Sequence, residues 1–186
     1  NTDLDAILSI SMGAVGGKQI DTKHSIYIDN VVLEKIDEVK QDSADYGKNL
    51  LANPEFAKDG EGWDLSIISP AAGKVTTGTN SVKFAIDNVG TEDWNVQLKQ
   101  AGIVLEKGEK YEVTLKMLST AARTVPVNVM RASDYNWYAG QDIALEANKE
   151  KEVTISFTMS EDCANGGLFI SMGKYKEGET SVSEVT

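Results

Sequence analysis

The chain has 186 residues and a formal net charge of −11. That length allows one good hydrophobic core, or one domain and a piece of another, and 41% hydrophobic with 25% charged residues is ordinary for a globular protein. The acidic balance repels phosphate backbones and anionic lipid surfaces, so neither nucleic acid nor membrane is an expected partner, and no apolar run approaches the ~20 residues of a membrane span.

In chain order, the first strand signals lie at residues 6–12 and 25–34, both apolar and alternating. The polar stretch 34–46, bounded by Gly47, reads as a linker or a short helix. Strands are then predicted at 81–86, 94–98, 110–118, 124–130, 151–159 and 167–172. Each is short, β-rich and bounded by Gly, Asp, Asn or Lys-Gly turns. Period-two alternation sorts their faces. Val113, Leu115 and Met117 share one face, opposite Glu112, Thr114 and Lys116. Val153, Ile155, Phe157 and Met159 form a second apolar face, and Val125, Val127 and Val129 a third, which leaves Asn128 and Met130 on the other side of their strand. In 94–98, Val96 and Leu98 are assigned to the core and Asn95, Gln97 and Lys99 outward. This pattern predicts an all-β fold, an antiparallel β-sandwich.

The sequence also repeats. Residues 7–13 read ILSISMG and residues 167–173 read GLFISMG, identical at five of seven positions. A spacing of about 155–160 residues is close to a whole domain. On this basis residues 1–36 are expected to be the C-terminal strands of a preceding or strand-exchanged module, 37–48 a linker, and 49–186 a second module ending near its last strand. The two copies of the repeat compete for one slot, so the tail is expected either to pack on its own chain or to pair between molecules in a strand-exchanged homodimer. The sequence begins at Asn1 rather than Met, which fits a processed, secreted protein.

Three motifs stand in order in the second module. Asn49-Leu50-Leu51-Ala52-Asn53-Pro54-Glu55-Phe56 is followed by Gly60-Glu61-Gly62-Trp63, then by Asp93-Trp94-Asn95-Val96-Gln97-Leu98, then by Leu105-Glu106-Lys107-Gly108-Glu109-Lys110-Tyr111. They resemble the N-L-L-x-N-x-x-F…G-W opening, the W-x-V-Q-L strand and the L-x-x-G-x-x-Y turn of carbohydrate-binding modules of the family 4, 9, 16 and 22 kind. In the first segment, residues 26–33 (IYIDNVVL) resemble the same modules' closing strand. The resemblance implies a β-jelly roll appended to a secreted glycoside hydrolase, with a sugar-binding groove on one sheet. It also implies a structural calcium held partly by acids. At the two places for those acids the second module carries Ala57 and Ser183, whereas Asp29 holds the closing acid's place in the first segment. Calcium takes six to eight oxygens, several of which backbone carbonyls could supply. No cofactor is otherwise required.

A sugar presents apolar C–H faces and a rim of hydroxyls, so its site needs aromatic platforms and amide or carboxylate partners. Two clusters offer both. One is Trp94, Gln97 and Gln100, in which Trp94 has core parity and reaches a groove only if the strand start is irregular. The other follows the strand carrying Asn128 and Met130: Arg131, Asp134, Tyr135, Asn136, Trp137 and Tyr138, ending at Gln141. Three aromatics within four loop positions point to a sugar platform, with Trp137 or Tyr138 stacking on the ligand. Trp63, after a Gly turn, is either a third platform or a packed edge residue.

Catalysis finds no support. His24 is the one histidine, in a polar turn, and Cys163 the one cysteine, expected to be buried and structural. That excludes an intrachain disulfide, a Cys/His metal site and a Ser-His-Asp or Cys-His nucleophile. The expected function is therefore non-catalytic binding of a polysaccharide, a neutral β-glycan such as β-glucan or mannan, that targets a secreted glycoside hydrolase to its substrate. The alternative is a structural or adhesive β-sandwich of a cell-surface protein with Trp94 and Trp137 buried.

Overall fold

The computed structural model describes residues 47–78, 80–175 and 183–186. The strands expected at 6–12 and 25–34, the stretch 34–46, His24 and Asp29 all lie outside these residues. Ten strands follow in chain order: β1 (Asp64–Ile67), β2 (Ala72–Gly78), β3 (Ser81–Asn88), β4 (Val96–Leu105), β5 (Lys110–Met117), β6 (Arg123–Arg131), β7 (Trp137–Leu145), β8 (Lys151–Thr158), β9 (Cys163–Ser171) and β10 (Ser183–Val185). A 3-10 turn at Asp93–Asn95 precedes β4.

The strands form an antiparallel sandwich. One sheet has the order β1-β4-β9-β6-β7. Opposite it, β10-β3-β2 and the β5-β8 pair are joined where β10 meets the residues after β5. There Ser119 bridges Val185, Leu118 and Thr186 exchange backbone hydrogen bonds at 2.7 and 2.8 Å, and Thr120 N–H donates to Glu184 at 3.0 Å. β10 thus pairs with β3 and links it to the residues after β5.

The core lies between the sheets and follows the predicted alternation. Val96 and Leu98 of β4, Val125, Val127 and Val129 of β6, Leu168 and Ile170 of β9, and Ile143 of β7 face Phe84 and Ile86 of β3 and Met117, Val153, Ile155 and Met159 of the other layer. Cys163 is buried in the same cluster, as expected of a structural thiol. Three strands lack the expected signals: β1 and β2, which are short or Thr- and Gly-rich, and β7, whose first residues belong to the aromatic cluster expected to be a loop; β10 falls near the module's end, where its last strand is expected.

The residues before β1 form an irregular cap held by side-chain hydrogen bonds. Asn53 is its hub: its amide donates to the carbonyls of Asp59 (3.0 Å) and Glu61 (3.1 Å), and its Oδ1 accepts from Lys58 N–H (3.1 Å). Leu50, Leu51 and Phe56 then pack on the core. The spacing of the opening motif is therefore structural, with one amide ordering the loop and leucines and a phenylalanine anchoring it.

Phe84, among the largest side chains fully enclosed here, measures how much the sandwich depends on this packing. Phe84→Ala is expected to lower the unfolding free energy by about 3–5 kcal/mol, read by urea denaturation followed by far-UV circular dichroism.

Candidate functional site

The outward face of the five-stranded sheet is defined by register. Because Leu98, Ile170 and Val127 point inward, their strand neighbours point away from the core. One row across the strands holds Ser66, Gln97 and Ser171. The next holds Asp64, Lys99, Phe169, Asn128 and Gly140. The third holds Ala101, Gly167, Met130 and Trp137. Five strands at about 4.8 Å spacing make a face roughly 20 Å wide, broad enough for a short oligosaccharide.

Trp137 reaches this face through a β-bulge. Val129 pairs with Ala139, but Met130 pairs with Trp137, so Tyr138 is the extra residue. Under unbroken alternation Trp137 would share the inward parity of Ala139; the bulge at Tyr138 turns it outward. The residue is 58% exposed while its indole N–H donates to Asn128 Oδ1 at 3.1 Å. Gly140 makes this possible, since a Cβ there would lie 2.2 Å from the same Asn128 oxygen. The result is a large apolar ring held in place yet open to solvent, with an amide beside it.

The middle of the face has an aromatic floor. Phe169 points outward yet is only 2% exposed. Its ring lies over Gly167, where a Cβ would come within 2.9 Å of it, and meets Tyr135 edge-on with centroids 6.0 Å apart. Tyr135 itself is exposed. Polar groups fill the β1–β4 side. Gln97 donates to Ser171 Oγ at 3.1 Å, and Lys99 pairs with Asp64 at 3.1 Å. The Ser66 hydroxyl donates to Asp64 and, with Lys99, holds its carboxyl below the usual value. Hydrogen-bonding groups therefore ring an apolar centre, and the charges on this side are paired.

Trp94 takes the irregular placement that exposes it. It sits on the 3-10 turn, 48% exposed, with its backbone N–H donating to Asp93 Oδ1 at 2.8 Å. Burial pushes the Asp93 carboxyl above its ordinary range. The same turn reverses the expectation for Asn95. Expected outward, Asn95 is buried because its Oδ1 accepts from the backbone N–H groups of Thr91 and Glu92, both at 2.9 Å.

Several residues assigned to the ligand have structural duties instead. Gln100, predicted beside Trp94 and Gln97, is 6% exposed. Its amide oxygen accepts from Ala52 N–H at 2.6 Å and its amide nitrogen donates to Ala52 O at 2.9 Å, tying the cap to β4. Trp63 is the packed edge residue of the two readings: it stacks obliquely on Phe56 at 5.2 Å and donates to Asn53 O at 3.1 Å. Gln141 pairs with Val127 and so lies on the inward parity of β7, away from the outward face. Arg131 and Tyr138 are engaged with each other, the Arg131 Nε donating to the Tyr138 hydroxyl at 3.1 Å. That bond and Asp134 hold the guanidinium all the more firmly protonated. Gln97, Asn128, Met130, Tyr135 and Trp137 are brought together; Trp94 stands near the β4 end of the sheet. Sequence reasoning missed Phe169, Asp64 and Ser66. Only the outward parity of Phe169 within an apolar run could have flagged it.

At Ser183, where the resemblance puts a calcium-binding acid, the hydroxyl accepts from the buried Arg123 guanidinium at 2.5 Å. A fixed positive charge there does not fit a divalent cation. Among the described residues no cluster of three or more His, Cys, Asp or Glu could hold a metal.

The model of a carbohydrate binding domain (CBM_4_9) matches residues 48–178, and the chain belongs to that carbohydrate-binding domain family. The family is in general non-catalytic. Among solved structures, a CBM4 module shares 19% identity over 73% of this chain and 94% of its own, with a TM-score of 0.61. The N-terminal cellulose-binding domain of β-1,4-glucanase C from Cellulomonas fimi shares 18% over 74% and 91%, with a TM-score of 0.57. A CBM61 module in complex with β-1,4-galactotriose shares 18% over 74% and 92%, with a TM-score of 0.50. These likenesses show the fold. A comparison with curated proteins gives no match. Among the described residues no helix is long and apolar enough to cross a membrane.

The reassignment of Gln100 is testable. Gln100→Ala strands two backbone groups of Ala52 and is expected to cost about 1–3 kcal/mol of stability in urea denaturation, with polysaccharide affinity unchanged. A loss of affinity at unchanged stability would return Gln100 to the site.

Proposed function

We propose that the outward face of the five-stranded sheet binds a neutral β-glycan, such as β-glucan or mannan, and thereby holds a secreted glycoside hydrolase on its substrate. The observation that carries this reading is Trp137: a tryptophan more than half exposed, fixed by its indole N–H to Asn128 on a broad sheet face. An exposed ring held rigid can stack on the C–H face of a sugar with little ordering cost. Gln97, Asn128, Asp64 and Ser66 then stand as partners for hydroxyls. Neutrality of the ligand is supported by the pairing of Lys99 with Asp64 and by the chain's net charge of −11, which would repel a polyanion. Two structural neighbours are a cellulose-binding domain and a module holding a β-1,4-linked galactose trimer, in keeping with a β-linked chain.

Affinity electrophoresis in soluble β-glucan, mannan and xylan tests the reading. Retardation in β-glucan or mannan is expected, with dissociation constants of roughly micromolar to millimolar because an open face buries little of the ligand. Migration unaffected by every neutral polysaccharide, or release of reducing sugar by the pure protein, would sink the proposal.

Site variants sharpen it. Trp137→Ala is expected to weaken binding about tenfold or more and Gln97→Ala by a smaller factor, each with the melting temperature nearly unchanged. Both side chains sit outside the core, so a large fall in melting temperature for either would make it structural.

A further inference from the structure

The turn between β6 and β7 carries two sets of side chains. Tyr135 and Trp137 serve the outward face. Arg131, Asn136 and Tyr138 turn instead to Glu161, on the connection between β8 and β9. One carboxylate oxygen, Glu161 Oε1, accepts from Arg131 Nη2, from Asn136 Nδ2 at 3.3 Å and from the Tyr138 hydroxyl at 3.0 Å. The Tyr138 hydroxyl in turn accepts from Arg131 Nε, and Arg131 also pairs with Asp134 at 2.9 Å. Asp134 closes the turn by accepting from Asn136 N–H at 3.2 Å.

The turn needs such support. Tyr135 sits at φ +59, a left-handed conformation that bulky residues rarely adopt and that persists only where the surroundings over-determine it. Three backbone bonds tie the turn: Tyr135 N–H to Arg131 O at 2.8 Å and Arg131 N–H to Asn136 O at 2.9 Å within it, and Ala132 N–H to Asn165 O of β9 at 2.9 Å at its start, away from Tyr135. Glu161 is the group from outside the turn that grips three of its side chains, and charge assistance makes its bond to Arg131 among the stronger kinds.

We infer that Glu161 is a positioning residue for the carbohydrate face: without touching sugar, it locks the turn so that Tyr135 and Trp137 present their rings before ligand arrives. Removing it leaves the rings to be ordered during binding, which lowers affinity. The inference rests on the outward face being the sugar site.

The test compares Glu161→Ala, Glu161→Gln and Tyr138→Phe with the parent and with Trp137→Ala, using the soluble polysaccharide that retards the parent. Near-UV circular dichroism without ligand is the second readout. Glu161→Ala is expected to weaken binding about tenfold, to reduce the near-UV aromatic signal, and to leave the melting temperature within a few degrees of the parent. Glu161→Gln keeps the acceptor oxygen and should recover most of both signals; Tyr138→Phe should fall between. Parent-like affinity and near-UV signal in Glu161→Ala would overturn the inference. So would a loss of affinity that tracks a large fall in melting temperature and is not rescued by Glu161→Gln. If Trp137→Ala also binds like the parent, the sugar-site reading fails instead, while the ligand-free near-UV signal still decides whether Glu161 orders the turn.

Discussion

A strand offers its side chains to two faces in strict alternation, so one inserted residue sends everything beyond it to the opposite face. Between β6 and β7 that insertion is Tyr138. Before the bulge, β6 and β7 supply the core through Val125, Val127, Val129, Ala139 and Ile143; beyond it, Trp137 stands beside Met130 on the outward face. The aromatic end of the site follows from this offset. So does the need for glycine at position 140, which leaves room for the Asn128 amide that the indole N–H reaches.

Amides that order irregular segments divide the work differently from those on the outward sheet face. Asn53, Asn95 and Gln100 each satisfy backbone groups of irregular segments that no strand can pair. In a sandwich whose regular strands satisfy themselves, the cost of leaving such groups unmet falls on caps and turns. Gln97 and Asn128, of the same chemistry, stand on the outward face, with bonding capacity left for hydroxyls. Residue type alone does not separate the two sets; the position of each on the sheet does.

The half-exposed, anchored tryptophan stands on one face of one sheet. The opposite sheet presents Glu112, Thr114, Lys116, Thr154 and Ser156 outward from β5 and β8, alternating with core residues, and no large aromatic. An apolar ring beside hydrogen-bonding groups is what a sugar requires, and the β5–β8 surface lacks the ring.

Much was legible in the sequence because it rests on local periodicity. The alternation of Val125, Val127 and Val129, of Val113, Leu115 and Met117, and of Val153, Ile155 and Phe157 was enough to give an all-β sandwich and to put Asn128 and Met130 on the outer face. The grouping of aromatics after β6 singled out the β6–β7 turn, and three ordered motifs pointed to the right family. The tertiary structure alone decided the roles within those groups. Gln100 and Trp63 became structural because the cap folds back onto β4 and Phe56, contacts made across 48 residues in the first case and set by a loop in the second. Asn95 turned inward and Trp94 outward because a 3-10 turn breaks the period just before β4. Phe169 and Glu161 entered the account only once β9 was placed between β4 and β6 and the β8–β9 connection met the β6–β7 turn. Alternation is written in the spacing of neighbours along the chain, whereas bulges, turns that break the period and hydrogen bonds between distant segments are fixed only when the sheets pack.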